Sequence, residues 1–133
     1  MVNQNLSSKS LNIFLKLNHQ KLDLYKVSKS FVLECYKLSK QLPADEKFGM
    51  ISQIRRAALS VHLNIAEGAS GKSEVERKRY FEVSRGSVVE IDAAIDIAHE
   101  LNYLKNIPLN LLGEEIVRCF KMLTAMINSS TKN

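Results

Sequence analysis

Apolar residues recur along this chain at intervals of three and four, the period of a helix with one buried face. Leu24, Val27, Phe31, Cys35, Leu38 and Leu42 form the first stripe and predict a helix over about Gln20 to Gln41. Pro43 ends it, because a residue before proline avoids the α region. Ile51, Ile54, Ala58, Val61 and Ile65 predict a second helix from about Asp45 to Gly68, where glycine is expected to supply a left-handed closing residue. Ser73-Glu74-Val75-Glu76 has the form of a capping box, with Ser73 on the first free N–H groups and Glu76 reaching back. The third helix it opens runs to about Asn102 on the stripe Phe81, Ser84, Val88, Ile91, Ile95 and Ala98. Pro108 suits a first helical position and starts a fourth helix, to about Asn128, with Leu112, Ile116, Cys119, Leu123 and Met126 inside. Long helices with short connectors predict an all-α, antiparallel up-down four-helix bundle. The domain is expected over residues 19–129. Residues 1–18 form a poorly defined extension, with Leu11, Ile13, Phe14, Leu15 and Leu17 clustered in it, and residues 130–133 a fraying tail.

The polar positions add a second pattern. Gln53, Arg56, Ser60, Asn64 and Glu67 also step by three and four, beside the second apolar stripe. Such a ladder is expected to be a satisfied network fixing helix register, with Ser87 and Glu90 of the third helix as partners. Arg56 is expected to pair with Glu90, and Asn64 to bond backbone or Ser87. Arg55 points away from that face and is expected to be available to a ligand or subunit. Tyr25, Val32 and Tyr36 make a second apolar strip on the first helix, which implies burial against more than one neighbour. Gly86 costs its helix about 1 kcal/mol relative to alanine. It marks either a close backbone approach or a tolerated residue.

Composition refines this picture at a few points. The formal net charge is +5. Much of the excess lies in the first third, and a second basic set opens the third helix: Lys72, Arg77, Lys78, Arg79 and Arg85, with Tyr80 among them. Intrahelical pairs such as Glu74–Lys78 and Glu82–Arg85 account for that set without a ligand, and phosphate contacts account for it with one. The lysines of the first helix, Lys21, Lys26, Lys29, Lys37 and Lys40, are either a solvated face or a phosphate-binding one. Cys35 and Cys119 read as buried free thiols. No apolar run approaches the ~20 residues that span a bilayer, and a cytoplasmic protein is expected. Ala69 to Ser73 lacks the spacing of a phosphate loop. Asp96 and His99 make half of a di-iron pair, with no second copy. No cofactor, metal or catalytic group is expected.

The stretch Leu42 to Leu104 resembles the core of the 23S rRNA intervening-sequence protein family. The resemblance rests on the LP-x-x-E turn (Leu42, Pro43, Glu46), Gln53-Ile54-Arg55-Arg56-Ala57, Ser60, and Asn64-Ile65-Ala66-Glu67-Gly68. It continues through the basic helix start to Arg79 and through Gly86-Ser87 with Glu90. It covers about residues 20 to 127. It implies an up-down four-helix bundle, commonly a ring-shaped homopentamer, encoded in insertions within large-subunit rRNA genes of some bacteria or elsewhere in the genome. The accessory protein of diversity-generating retroelements is similar, a basic pentamer that binds nucleic acid and its reverse transcriptase. Five copies of this chain would carry roughly +25, and phosphate contacts add across such a ring. The leading expectation is a non-enzymatic homo-oligomer that binds RNA or DNA through backbone charge. Arg55, Arg77, Lys78, Arg79 and Arg85 are the candidate contacts, by charge and exposure. The alternative is a structural module whose partner is another protein.

Overall fold

The structure, a computed structural model, describes residues 22–131. The expectations for residues 1–18 and for the last two residues lie outside it. Four helices follow in order: α1 (Asp23–Ser39), α2 (Ser52–Ser70), α3 (Glu74–Glu100) and α4 (Asn110–Thr131). Each packs on the next, and α1 returns against α4, so the bundle closes as a ring of antiparallel neighbours.

The apolar stripes are the core. Phe31 of α1, Ile54 and Ile65 of α2, Phe81 and Ile91 of α3 and Leu123 of α4 are fully enclosed. Cys35 and Cys119 are buried free thiols among them. Burial pushes each thiol up to about 12 from an ordinary 9.0, and the carboxylate of Glu115 adds to the effect. The second strip of α1 is used inside the chain. Tyr36 lies under the Arg55 guanidinium of α2, and Tyr25 packs against the ring of His62.

The helix ends depart from expectation in instructive ways. The second helix does not start at Asp45 as α-helix. A 3₁₀ turn (Ala44–Glu46) and a π turn (Lys47–Ile51) precede α2, and within the π turn Gly49 departs from helical geometry. Glu46 organises this entry: its Oε1 accepts from the Met50 N–H at 3.1 Å. Its Oε2 accepts from the Tyr103 hydroxyl at 2.9 Å, tying the α1–α2 connector to the α3–α4 connector. That bond holds the Tyr103 phenol above its ordinary value.

Gly68 does not supply a left-handed residue. It sits inside α2, and no glycine among the described residues has positive φ. Its role is steric: a Cβ there would stand 2.7 Å from the Phe81 ring. The left-handed positions belong to Asn102 (φ 63°) and Asn106 (φ 65°). Asn102 closes α3 in a Schellman arrangement, with Tyr103 N–H bonded to Ala98 O and Asn102 N–H to His99 O.

At the start of α3, the Ser73 hydroxyl accepts from Glu76 N–H, as the capping box predicts. Glu76 reaches one residue further than expected and accepts from Lys72 N–H. α4 begins at Asn110 rather than Pro108 and extends to Thr131, past the expected Asn128.

Candidate nucleic-acid interface

The polar ladder of α2 lies along the α2–α3 seam, at the surface rather than in the core. Its register contacts differ from those expected. Gln53, not Arg56, donates to the Glu90 carboxylate. Arg56 donates to Gln53 Oε1 at 3.0 Å and so reaches Glu90 only through an intermediary. The Gln53 amide can both donate and accept, so it bridges Arg56 to Glu90, which a second guanidinium could not do.

Asn64 folds back onto its own helix, donating to Ser60 O at 2.8 Å and Ser60 Oγ at 3.1 Å. Ser60, not Asn64, is then the group that meets Ser87, with Oγ to Oγ at 2.9 Å. Ser84 adds a buried bond to Val61 O at 2.7 Å. Glu67 is exposed and makes no hydrogen bond among the described residues.

The five cations singled out by sequence do not form one patch. Arg55 is a correction: its Nε donates to Ser39 Oγ at 2.8 Å and its guanidinium covers Tyr36, so it stitches α2 to α1. Arg77 donates to Gly71 O at 3.0 Å and holds the α2–α3 connector. Arg85 donates to Thr124 Oγ1 at 3.0 Å and lies over Phe120, joining α3 to α4. Lys78 is half-buried and Arg79 exposed, and neither has an ion pair or hydrogen bond among the described residues. Arg77, Lys78 and Arg79 are consecutive, so their side chains leave the helix about 100° apart. Adjacency in sequence separates them in space. The pairs Glu74–Lys78 and Glu82–Arg85 are not formed within 4.0 Å; the ion pair among the described residues is Lys37–Glu34.

A coherent basic face exists elsewhere. Lys26, Lys29 and Lys37 of α1 and Lys40 at its C-terminal cap, with Leu33 between them, are all exposed. Their steps of three and four place them on the solvent side of one helix, over about 21 Å. Lys29 lies over the Tyr25 ring at 5.6 Å. Charge and helical spacing carry this signal in the sequence. A lysine stripe is also the ordinary outer face of a helix, so on sequence alone the arginines rank above it.

Other chemistry is sparse. Asp96 and His99 are exposed. Among the described residues no cluster of His, Cys, Asp or Glu could hold a metal ion, and no helix is long and apolar enough to cross a membrane. Glu115 of α4 is buried, only 9% exposed, and its Oε2 accepts from Ser30 of α1, while its Oε1 has no partner.

A family model described as 23S rRNA-intervening sequence protein matches residues 20–125. Among solved structures, the chain is similar to a protein of unknown function from the S23 ribosomal protein family of Bacteroides thetaiotaomicron. The two superpose with a TM-score of 0.71 at 20% identity, over 79% of this chain and 95% of that one. This likeness concerns the fold. No curated protein matches the chain.

Proposed function

The chain belongs to the 23S rRNA-intervening sequence protein family, and from that footing we propose that it is a non-enzymatic bundle binding RNA or DNA through backbone charge. The observation that carries this reading is the lysine face of α1. Three of its four ammonium groups have no carboxylate within 4.0 Å among the described residues. Cations left unpaired along one straight helix are free to neutralise successive phosphates, and the counterions released drive association. Lys78 and Arg79 are the sequence candidates left unengaged, and they join this proposal as secondary phosphate ligands. Arg55, Arg77 and Arg85 serve helix packing first.

Assembly as a cytoplasmic homopentamer, drawn from the family resemblance, belongs to the same proposal, since it would repeat the lysine face around a ring. A reverse transcriptase is a protein partner by the same resemblance. Recognition by charge and shape belongs to the same reading, because the α1 face presents lysines and no exposed aromatic ring. One observation favours a protein partner instead: Leu59 and Leu63, one turn apart on the outer face of α2, are 41% and 56% exposed.

Fluorescence anisotropy with labelled structured RNA and duplex DNA separates the two readings, at ~50 and ~200 mM salt. Phosphate binding falls steeply over that range. Reversal of Lys26, Lys29 and Lys40 to Glu lowers the salt slope by about 0.7–0.9 for each phosphate the protein no longer neutralises. Absence of binding at the lower salt overturns the proposal and moves the assignment to the Leu59–Leu63 surface.

A further inference from the structure

The most exposed large apolar side chain among the described residues stands at the entry to α2. Phe48 is 90% exposed, against 39% for Phe120, which lies under Arg85. The four tyrosines are half-buried, and Phe31 and Phe81 are enclosed. An exposed ring is ordinary on a loose loop, but the turn that carries Phe48 is held. Glu46 closes it through Met50 N–H at 3.1 Å, and Tyr103 of the α3–α4 connector holds Glu46 at 2.9 Å. Gly49 departs from helical geometry beside the ring, and a Cβ there would stand 3.0 Å from Glu46 Oε1. Packing accounts for the next residues, Met50 and Ile51, which lie against the core. It does not account for Phe48. Single π turns recur at functional sites.

The ring also stands beside the lysine face. Lys47 Nζ lies over it at 5.4 Å, and Lys40, the last lysine of that face, is eight residues earlier. From Lys40 to Ala44 the chain spans at most about 14 Å, and from Ala44 to Phe48 the turns add about 8 Å. The ring is therefore within about 22 Å of Lys40, about six nucleotides at the duplex rise of ~3.4 Å and fewer in an extended strand. Asp45 is exposed on the same turn, while both oxygens of Glu46 are engaged. A stacking contact does not depend on this mixed charge. Any base offers a π-face to an aromatic ring once it is unpaired, whereas the bases of a closed duplex are stacked on one another.

We propose that Phe48 is a stacking platform for an unpaired base of a nucleic acid whose backbone lies on the α1 lysines. The inference rests on the phosphate-binding reading of that face and adds the substrate class: RNA or DNA with a single-stranded segment, as in a loop, bulge or end.

Phe48→Trp gives the full chain its only tryptophan, and so a reporter at the site. Its emission is followed during titration with about 20-nucleotide single-stranded RNA, single-stranded DNA and the corresponding duplexes, long enough to cover the lysine face and the turn together. Quenching by one or both single strands, and not by the duplexes, is the expected result, and the stronger quencher distinguishes RNA from DNA. In anisotropy at ~50 mM salt, Phe48→Ala should weaken single-strand binding about 5- to 150-fold, with duplex affinity and salt slope as in the parent chain. Phe48→Tyr should retain the single-strand affinity. Phe48 lies outside the core, so these variants should keep the parent's denaturant midpoint. Single-strand binding indifferent to Phe48→Ala, an equal loss on the duplexes, or tryptophan emission unchanged at saturation each overturn the proposal and leave the lysine face standing. Emission that shifts with protein concentration alone also overturns it, by placing Phe48 between copies of the chain. No binding of any nucleic acid by the parent chain removes this inference and the phosphate-binding reading together.

Discussion

At the scale of single residues, two glycines carry opposite consequences that composition cannot distinguish. Gly68 is packed against a fully buried ring, with no room for a methyl group. Gly68→Ala must displace Phe81 within a close-packed core, and the expected loss is about 1–3 kcal/mol. Gly86 is exposed, and a Cβ built there meets nothing within 4 Å. Gly86→Ala removes the helix penalty and is expected to add about 1 kcal/mol. Denaturant titration of the two variants checks both signs, and equal losses would refute the reading of Gly86. Neither role was legible in the sequence: Gly68 precedes a connector and so reads as a stop, whereas its neighbour across the seam, Phe81, is the reason it is there.

Glu115 is the other residue whose role depends on its surroundings. It places a carboxylate between α1 and α4 with one oxygen unpartnered. Removing an uncompensated buried charge without changing volume is favourable. Glu115→Gln is expected to raise stability by about 1 kcal/mol, measured as a higher denaturant midpoint at neutral pH. The adjacent thiols give a pH-dependent counterpart. Their folded values, about 12, lie above the unfolded 9.0. The folded state therefore holds these protons more tightly, and the stability they contribute is complete below pH 9 and lost as pH rises towards 12. Stability measured from pH 9 to 11 should fall, and fall less steeply in a Cys35→Ala chain. At pH 8 the native thiols should alkylate far more slowly than an ordinary cysteine, since only the thiolate reacts and both thiols are enclosed in the core.

Elements were legible where one helix supplies the whole signal. The stripe of α1, and that of α3 apart from half-buried Ile95, place residues that the structure buries, and Ser73 caps α3 where the S-x-x-E pattern puts it. The entry to α2 was not legible, because it depends on the other connector. Glu46 closes the turn through Met50 N–H, and Tyr103 holds Glu46 in place from 57 residues away. Asn102 belongs to the same device, since its left-handed backbone turns Tyr103 back towards Glu46. Tyr103→Phe removes one hydrogen bond to a charged acceptor at the bundle end. The expected cost is about 1 kcal/mol, with faster amide exchange at Met50 than in the parent chain. Unchanged exchange there would show that Glu46 caps the turn without the tyrosine.

At the scale of the whole molecule, sequence reveals the charge but not its distribution. Residue type and clustering along the chain favour the arginines as ligand-binding cations, and the bundle inverts that order. Arg55, Arg77 and Arg85 have planar donors suited to fixed partners, and the fold uses them between elements. The lysines of α1 have long hydrated side chains and are left outside.

A paired set of substitutions tests this division. Lys26→Glu with Lys40→Glu should leave the unfolding free energy within the range of surface changes, about ±0.5 kcal/mol, and weaken nucleic-acid binding at low salt. Arg55→Ala should do the reverse. It removes the bond to Ser39 and the cover of Tyr36, each worth about 1 kcal/mol, and leaves the salt slope of binding near that of the parent. If Arg55→Ala instead lowers the slope with stability intact, its guanidinium meets phosphate and the α1–α2 seam is part of the interface. If both variants bind as the parent does, the α1 face is a solvated surface.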